Sequence, residues 1–173
     1  IVLAPIFTYF WGMLHSKNLE PASPMKMAWG LLLLCLGYIV IAFAVHGVDS
    51  SIKISMWWLI ALYLLHTMGE LCLSPIGLSM VSKLAPLRFS SLLMGTWFLA
   101  NAAANKLAGT LSALIPPGAG ENAGTTTDFP SIMGFQITNL YQFFMVFIIM
   151  SGVAAAILFL LSGVLRKMMH GIK

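Results

Sequence analysis

The stretch MWWLIALYLLHTMGELCLSPIGLSMVSK, residues 56–83, holds a single acidic residue, Glu70, near its middle and has no Lys or Arg before its final lysine. An apolar run of this length is typical of a transmembrane helix, which needs about 20 residues to cross a bilayer. A carboxylate at bilayer depth is costly unless it faces protein or a water-filled cavity, so Glu70 is a functional-site candidate. Pro75 removes one backbone hydrogen bond and predicts a bend near Ser74–Pro75.

A polar stripe runs along this helix on the side that carries the acid. Its members recur at intervals of three or four residues, which places them on one helical face. They are Tyr63, His66, Glu70, Ser74 and Gly77. A one-sided polar stripe around a mid-membrane acid indicates the wall of a solute pathway.

Each polar residue also has a structural interpretation. Glu70 is either a functional acid or a structural carboxylate that is protonated or hydrogen-bonded to a neighbouring helix. His66 is either a packed, hydrogen-bonded histidine, which is the commoner case, or a proton relay. His66 and Glu70 stand four residues apart, but no further ligand follows at a suitable spacing, so a metal site is not expected.

The composition predicts an all-α integral membrane protein. Hydrophobic residues make up 60% of the chain and charged residues only 8%, whereas a soluble domain carries about 25% charged residues. The basic residues lie at helix ends, so the net charge of +4 does not indicate nucleic-acid binding. Cys35 and Cys72 fall inside apolar segments, which makes a disulfide framework improbable. The chain opens partway through an apolar segment, and we therefore interpret it as a fragment.

Five apolar segments are separated by clusters of Gly, Pro, Ser and Asp, which are typical of loops. The first segment is too short to span a bilayer alone, so it is interpreted as the end of a truncated helix. The predicted helices are residues 1–14, 28–46, 56–84, 90–115 and 139–166.

The distribution of basic residues predicts the orientation of the helices, because cytoplasmic loops are enriched in Lys and Arg. Loops 15–27 and 84–89, the adjoining Lys83 and the tail 166–173 carry seven Lys and Arg residues, whereas the two intervening loops carry only Lys53. The seven are Lys17, Lys26, Lys83, Arg88, Arg166, Lys167 and Lys173. We therefore expect these two loops and the C-terminus to face the cytoplasm.

A second polar stripe lies on the predicted helix 90–115. Trp97, Asn101 and Asn105 recur every four residues, and the residues around them are mostly Gly and Ala. Small residues let helices approach closely in a membrane, so we expect this helix to be crowded by neighbours and to lie beside helix 56–84. The two stripes would then share a cavity. For the asparagines, cavity lining and hydrogen bonding between helices remain equally open; Lys106 either snorkels to the surface or pairs with an acid.

Two segments of this sequence resemble the proton-dependent oligopeptide transporter (POT) family of the major facilitator superfamily, in its bacterial form. They are GELCLSPIGLSMVSKLAP, residues 69–86, and MGTWFLANAAANKLAG, residues 94–109. The resemblance implies part of the C-terminal six-helix bundle of a twelve-helix fold, with four complete helices and the end of a fifth. It also implies proton-coupled symport of di- and tripeptides across the cytoplasmic membrane, jointly with the N-terminal half of the same transporter.

The resemblance further implies roles for individual residues. The motif acid, here Glu70, pairs with the free amino terminus of a bound peptide, and the motif serine, here Ser74, lines the same pocket. Trp97 and Phe98 form a side-chain pocket, and the next pocket position falls at Asn101. Further residues that could line the cavity are Tyr63, His66 and Asn105.

Other classes of function are less consistent with these residues. A membrane-embedded enzyme would need a nucleophile or metal constellation, and the sequence has no Ser-His-acid arrangement. A structural subunit would not need an acid at mid-membrane. The alternative that stays open is a facilitator-type carrier for another cationic or zwitterionic solute, with Glu70 as the proton or cation site. No cofactor is expected beyond protons as the coupling ion; the expected partners are the peptide, the N-terminal half and the lipid bilayer.

Overall fold

The computed structural model describes residues 3–17, 21–47, 54–113, 115, 131–132, 135–137 and 139–168. This part of the chain is built almost entirely from α-helices. They are α1 (Leu3–Ser16), α2 (Ser23–Val45), α3 (Met56–Leu84), α4 (Ser90–Ser112) and α5 (Leu140–Met168), with a 3-10 helix, Leu87–Phe89, between α3 and α4. The predicted loop segments 18–20, 48–53 and 116–130 and the tail 169–173 lie outside the described residues.

Two helix ends differ by more than two residues from the sequence-based bounds, in both cases next to a proline. Helix α2 starts at Ser23 rather than at residue 28, since Pro24 occupies its first turn, where a missing N–H costs nothing and the fixed φ favours the helix. Helix α4 ends at Ser112 rather than at residue 115. The residue before a proline is biased away from helical geometry, and Pro116 places that bias on Ile115. Helix α3 continues through Pro75, and the bend expected there remains a prediction.

A short antiparallel ladder precedes α5. Strand β1, Ser131–Ile132, pairs with β2, Phe135–Gln136, in a region for which the sequence predicted only a loop. Isoleucine and phenylalanine favour extended backbone, but two residues per strand are too few to produce a detectable alternating pattern in the sequence.

Helix α2 is the centre of the bundle. It packs along α3 on one side and along α5 on the other, whereas α3 and α5 make no close backbone approach to each other in the described part of the chain. A buried cluster joins the three helices near the end of α2. It consists of Ile41, Ala44 and Val45, with Leu62 of α3 and Leu140 and Phe144 of α5 against them.

The contact between α2 and α3 depends on two glycines. A Cβ atom on Gly30 would lie 2.8 Å from the carbonyl oxygen of Gly69, and a Cβ atom on Gly69 would lie 2.8 Å from the carbonyl oxygen of Gly30. The two backbones therefore touch directly. Close approach through small residues is the common way in which membrane helices associate, because dispersion rather than the hydrophobic effect holds them together.

Tyr38 extends the packing of α2 to both of its neighbours. Its ring stacks on Phe147 of α5, with centroids 5.2 Å apart, and receives the edge of His66 of α3, with centroids 4.7 Å apart. The thiol of Cys35 donates a hydrogen bond to the Ile148 carbonyl over 3.6 Å. At the start of α2, the Lys26 ammonium lies 4.8 Å from the centre of the Trp11 ring of α1, a cation–π contact that ties α1 to the bundle.

Three described segments are long and apolar enough to cross a membrane: Ser23–Val45, Met56–Leu84 and Leu140–Leu165. Large apolar side chains point outward from these helices, as Phe43 does with 73% of its surface exposed and Leu160 with 80%. Helix α4 is not among the three. It has 23 residues, but Asn101, Asn105 and Lys106 reduce its apolar character.

Candidate functional site

Trp97 of α4 makes a close contact with Gly77 of α3. The indole of Trp97 lies directly over Gly77, in the space that a Cβ atom would occupy. Within the described chain α4 packs against only α3 and the 3-10 helix, so the crowding expected from its small residues is not seen. This part of the chain offers α4 no other neighbour.

Beyond Trp97 the two helices separate. Every residue of α4 from Phe98 to Thr110 is exposed. Ala104 and Ala108 project from the same side of α4 as Trp97, so their exposure shows that α3 does not cover this side of α4 further along. The space between the two helices is therefore an open cleft with Trp97 and Gly77 at its base.

On α3, the cleft is bordered by the acid and the serine of the polar stripe. Glu70 and Ser74 are exposed, whereas Gly77 is buried. Glu70 and Gly77 are seven residues apart, which is close to two helical turns, so they project in nearly the same direction. The indole that covers Gly77 thus lies on the side of α3 that carries Glu70. We call the space lined by Glu70, Ser74, Trp97 and Asn101 the α3–α4 cleft. Asn105 stands eight residues from Trp97, about 80° around α4, and so lies at the edge of this cleft.

Positions along the cleft follow from the helical rise, because a five-residue connection, 85–89, makes α3 and α4 antiparallel. Measured from Gly77, Ser74 lies about 4.5 Å and Glu70 about 10.5 Å along α3, at 1.5 Å per residue. Measured from Trp97, Asn101 lies about 6 Å and Asn105 about 12 Å along α4. Asn101 is therefore close in depth to Ser74, and Asn105 is close in depth to Glu70.

The remaining predicted residues lie outside the centre of the cleft. Phe98 is 59% exposed and points about 100° around α4 from Trp97, towards the cleft edge. Tyr63 is 64% exposed and stands two turns beyond Glu70 towards the start of α3.

His66 is separated from the rest of the stripe. Its ring packs between α3 and α2: a Cβ atom on Gly37 would lie 2.7 Å from His66 Nε2, and this nitrogen is buried with no hydrogen-bond partner. The structure thus places His66 in helix packing against Gly37 and Tyr38 rather than in the cleft.

The polar groups of the cleft are largely unpaired. Glu70, Ser74 and Asn105 make no side-chain hydrogen bond or ion pair with any described residue. The Asn101 amide differs, because its nitrogen donates to the Trp97 carbonyl over 3.3 Å. No group of three His, Cys, Asp or Glu side chains in the described ranges could hold a metal ion. The cleft therefore offers one carboxylate, an unpaired amide, a hydroxyl and an indole to a polar solute.

Comparison with known proteins identifies the family. The sequence profile of the POT family matches residues 1–127. The chain belongs to the POT family. It is 35% identical over 173 residues to the uncharacterized transporter YclF of Bacillus subtilis (strain 168), which covers 99% of this chain and 30% of YclF. It is 42% identical over 113 residues to the peptide transporter YePEPT of Yersinia enterocolitica, which covers 64% of this chain and 22% of YePEPT.

A solved POT structure has the same arrangement of helices. A mutant of the peptide transporter POT, crystallised in complex with alafosfalin, matches with a TM-score of 0.72 and 32% identity, covering 94% of this chain and 29% of that one. The prediction of an all-α membrane fold of the major facilitator type is therefore confirmed, and so is the prediction that the chain is not an enzyme. This POT chain spans less than a third of the length of YclF and of that structure.

Proposed function

We propose that the full-length protein is a proton-coupled symporter of di- and tripeptides in the cytoplasmic (inner) membrane, and that this chain supplies the C-terminal half of the peptide site. The observation that carries the proposal is the unpaired Glu70 carboxylate in the α3–α4 cleft. Relatives described as peptide transporters support the substrate class.

The chemistry of a peptide fits the polar groups of the cleft. A peptide ammonium that leaves bulk water needs a compensating negative charge, and Glu70 supplies one near the middle of α3, the depth at which transporter sites commonly lie. Trp97 and Phe98 offer apolar surface for side chains, and Ser74 and Asn101 offer polar groups between them. Because peptides share their termini and differ in their side chains, a charged clamp with loose apolar pockets gives broad specificity.

Further parts of the proposal concern the surroundings of the chain. The exposed side of α4 from Phe98 to Thr110 supports a contact with the N-terminal half of the transporter, which would close the cleft. The outward apolar side chains of α2, α3 and α5 would meet lipid. Protons serve as the coupling ion without any other cofactor, and the C-terminus faces the cytoplasm, as the positive-inside distribution of basic residues indicates.

Uptake of a labelled dipeptide by the full-length protein, with and without a proton gradient, tests the activity. Glu70→Gln tests the clamp, since it keeps the shape of the side chain and removes its charge. Hydrogen bonds to charged groups contribute roughly 1.5–3 kcal/mol, so dipeptide binding should weaken by roughly 10- to 150-fold at 1.4 kcal/mol per tenfold. An N-acetylated dipeptide lacks the ammonium and should be little affected by the substitution.

The alternative is a facilitator-type carrier for another cationic or zwitterionic solute, with Glu70 as the proton or cation site. If Glu70 only carries protons, the Gln variant retains its affinity for the free dipeptide and loses proton-driven accumulation. Unchanged affinity for the free dipeptide in Glu70→Gln would therefore eliminate the clamp, and absence of dipeptide uptake by the wild type would eliminate peptide transport itself.

A further inference from the structure

We propose that a recess between α2 and α5 holds one acyl chain of a membrane phospholipid, with the head group beside His46 and Tyr141. The recess has a volume of about 300 Å³. Most of its wall is formed by six side chains of the two helices: Ile39, Phe43, His46, Tyr141, Met145 and Ile148. The inference concerns the outer surface of the bundle and does not depend on which solute the protein transports.

The recess faces away from α3 and from the α3–α4 cleft. Gly37 marks the side of α2 that meets α3, because the ring of His66 packs on it. Ile39, Phe43 and His46 follow Gly37 by two, six and nine residues. At 100° per residue they stand about 200°, 240° and 180° around the helix from Gly37. All three therefore project from the side of α2 that is opposite to α3.

Apart from α5, every described helix lies on the other side of α2. Helix α1 reaches α2 through the contact of Trp11 with Lys26, and Lys26 stands only about 20° around α2 from Gly37. Helix α4 approaches α3 and the 3-10 helix but not α2, and the N-terminal half is proposed to meet α4. We therefore infer that the side of α2 and α5 that carries the recess meets the bilayer.

The depth of the recess fits one leaflet. The apolar segment of α2 that can cross a membrane ends just before His46, and that of α5 begins just before Tyr141. Ile39 lies seven residues before His46, and Ile148 lies seven residues after Tyr141, so the recess extends about 10.5 Å inward along both helices. Because the hydrocarbon core of a bilayer is about 30 Å thick, this covers roughly two thirds of one leaflet.

The polarity of the wall changes in the same direction as that of a phospholipid. At the membrane boundary the rings of His46 and Tyr141 meet edge to face, with centroids 4.9 Å apart, and each ring carries a polar tip on an apolar body. Further in, the wall is apolar. An ordered water needs two to four polar partners, so hydrocarbon suits this part better than water. Filling the recess also restores dispersion contacts that its lining atoms would otherwise lack.

The competing occupant is a helix from a second copy or from another part of the protein. Membrane helices approach each other closely through small residues. The surface around the recess instead carries large side chains that point outward, such as Phe43, which is 73% exposed, and Ile149, which is 59% exposed. These side chains hold a helix backbone away, whereas a flexible acyl chain can pass between them. The surface therefore favours lipid over a helix.

The test uses the full-length protein in phosphatidylcholine vesicles that contain a small share of a phosphatidylcholine with a photoactivatable diazirine in one acyl chain. After irradiation, mass spectrometry identifies the labelled residues. Met145 in the recess is compared with Met150, which is 48% exposed on α5 and lies about 140° around the helix from Met145. We expect stronger labelling of Met145, which should saturate as the share of probe increases, whereas labelling of Met150 should continue to rise.

Variants that fill the recess provide the second measurement. In Met145→Trp the indole occupies the space of the acyl chain, so the labelling of Ile39 should be lost. Met150→Trp is the matched control, because the same substitution outside the recess should leave the labelling of Ile39 unchanged. Ile39→Trp fills the recess from α2 and should abolish the labelling of Met145. It covers the case in which thermal unfolding shows that Met145→Trp does not fold.

The position of the diazirine tests the orientation of the lipid. With the diazirine near the ester group, labelling should shift towards Tyr141. With the diazirine near the terminal methyl group, labelling should shift towards Ile148. The opposite order would overturn the placement of the head group beside His46 and Tyr141.

The remaining outcomes decide the occupant. Equal, non-saturating labelling of Met145 and Met150 means ordinary contact with surrounding lipid and overturns the inference, as does unchanged labelling of Ile39 in a folded Met145→Trp variant. Weak labelling of the recess together with a doubled mass in light scattering assigns it to a second copy instead. None of these measurements involves dipeptide uptake, so the lipid site and the proposed function can fail independently.

Discussion

Glu70 and His66 show what can and what cannot be inferred from the spacing of residues along a helix. Glu70 could be singled out from the sequence because a lone acid in a long apolar segment has few structural explanations. His66 shares the same spacing, but it lies towards the edge of the stripe that meets α2, where it packs on Gly37 and Tyr38. Periodicity assigns residues to a face about a third of the helix wide, and it does not say which edge a neighbouring helix covers.

Gly69 gives a prediction about stability at the residue scale. Alanine at this position places a Cβ atom 2.8 Å from the Gly30 carbonyl oxygen, and backbone cannot move aside as a flexible side chain can. We expect Gly69→Ala to destabilise the full-length protein by about 1–3 kcal/mol, the usual cost of overpacking. Thermal unfolding in detergent would show this as a lower Tm.

Gly163→Ala is the matched control for Gly69→Ala, because a Cβ atom at Gly163 of α5 meets nothing within 4 Å. Alanine favours a helix over glycine by roughly 0.5–1 kcal/mol, so the Tm of this variant should stay the same or rise. Equal Tm values for the two alanine variants would contradict the direct backbone contact of α2 with α3.

At the scale of elements, apolar length located the helices and prolines shifted their ends. Pro24 belongs to the first turn of α2 rather than to the preceding loop, and Pro116 ends α4 before the apolar residues run out. The β1–β2 ladder could not be predicted because two paired residues leave no pattern. The Trp97–Gly77 contact had only a partial signal: Gly77 was on the polar face, but nothing in the sequence pairs it with a particular tryptophan.

A prediction at this scale concerns how α4 is attached. Trp97→Ala removes the indole that rests on Gly77, so α4 should lose its fixed distance from α3. With one spin label on α3, at position 67, and one on α4, at position 108, the distribution of distances between the labels should be broader in this variant of the full-length protein. Trp57→Ala is the control, because Trp57 is 77% exposed at the start of α3. An unchanged distribution in Trp97→Ala would show that other contacts hold α4.

For the molecule as a whole, the sequence predicted a membrane bundle of the major facilitator type, and the comparisons confirm it. The orientation stays a prediction. In a full-length variant without other cysteines, a membrane-impermeant maleimide applied to intact cells should label Asn122→Cys and not Asn18→Cys. Permeabilised cells, in which both positions should react, serve as the control. The reverse labelling pattern would overturn the assignment of loop 15–27 to the cytoplasm.

The neighbours of α4 could not be predicted from this chain. Its Gly and Ala residues indicated a crowded helix, yet the residues from Phe98 to Thr110 are exposed. Small residues specify that a partner can come close and do not specify which helix it is. The sequence of α4 therefore predicts that the helix has a packing surface, but it does not predict which helix packs against that surface.

The contact of Trp97 with Gly77 has a mechanical consequence. It joins α3 to α4 towards one end of each helix, where the flat indole ring lies on backbone without a side chain. The two helices can therefore tilt relative to each other about this contact. A small change in the angle between the helices changes the distance between them more, the further a residue lies from the contact. Glu70 lies about 10 Å along α3 from the contact. A residue larger than glycine at position 77 would therefore change the width of the cleft at Glu70, although it lies about 10 Å away along the helix.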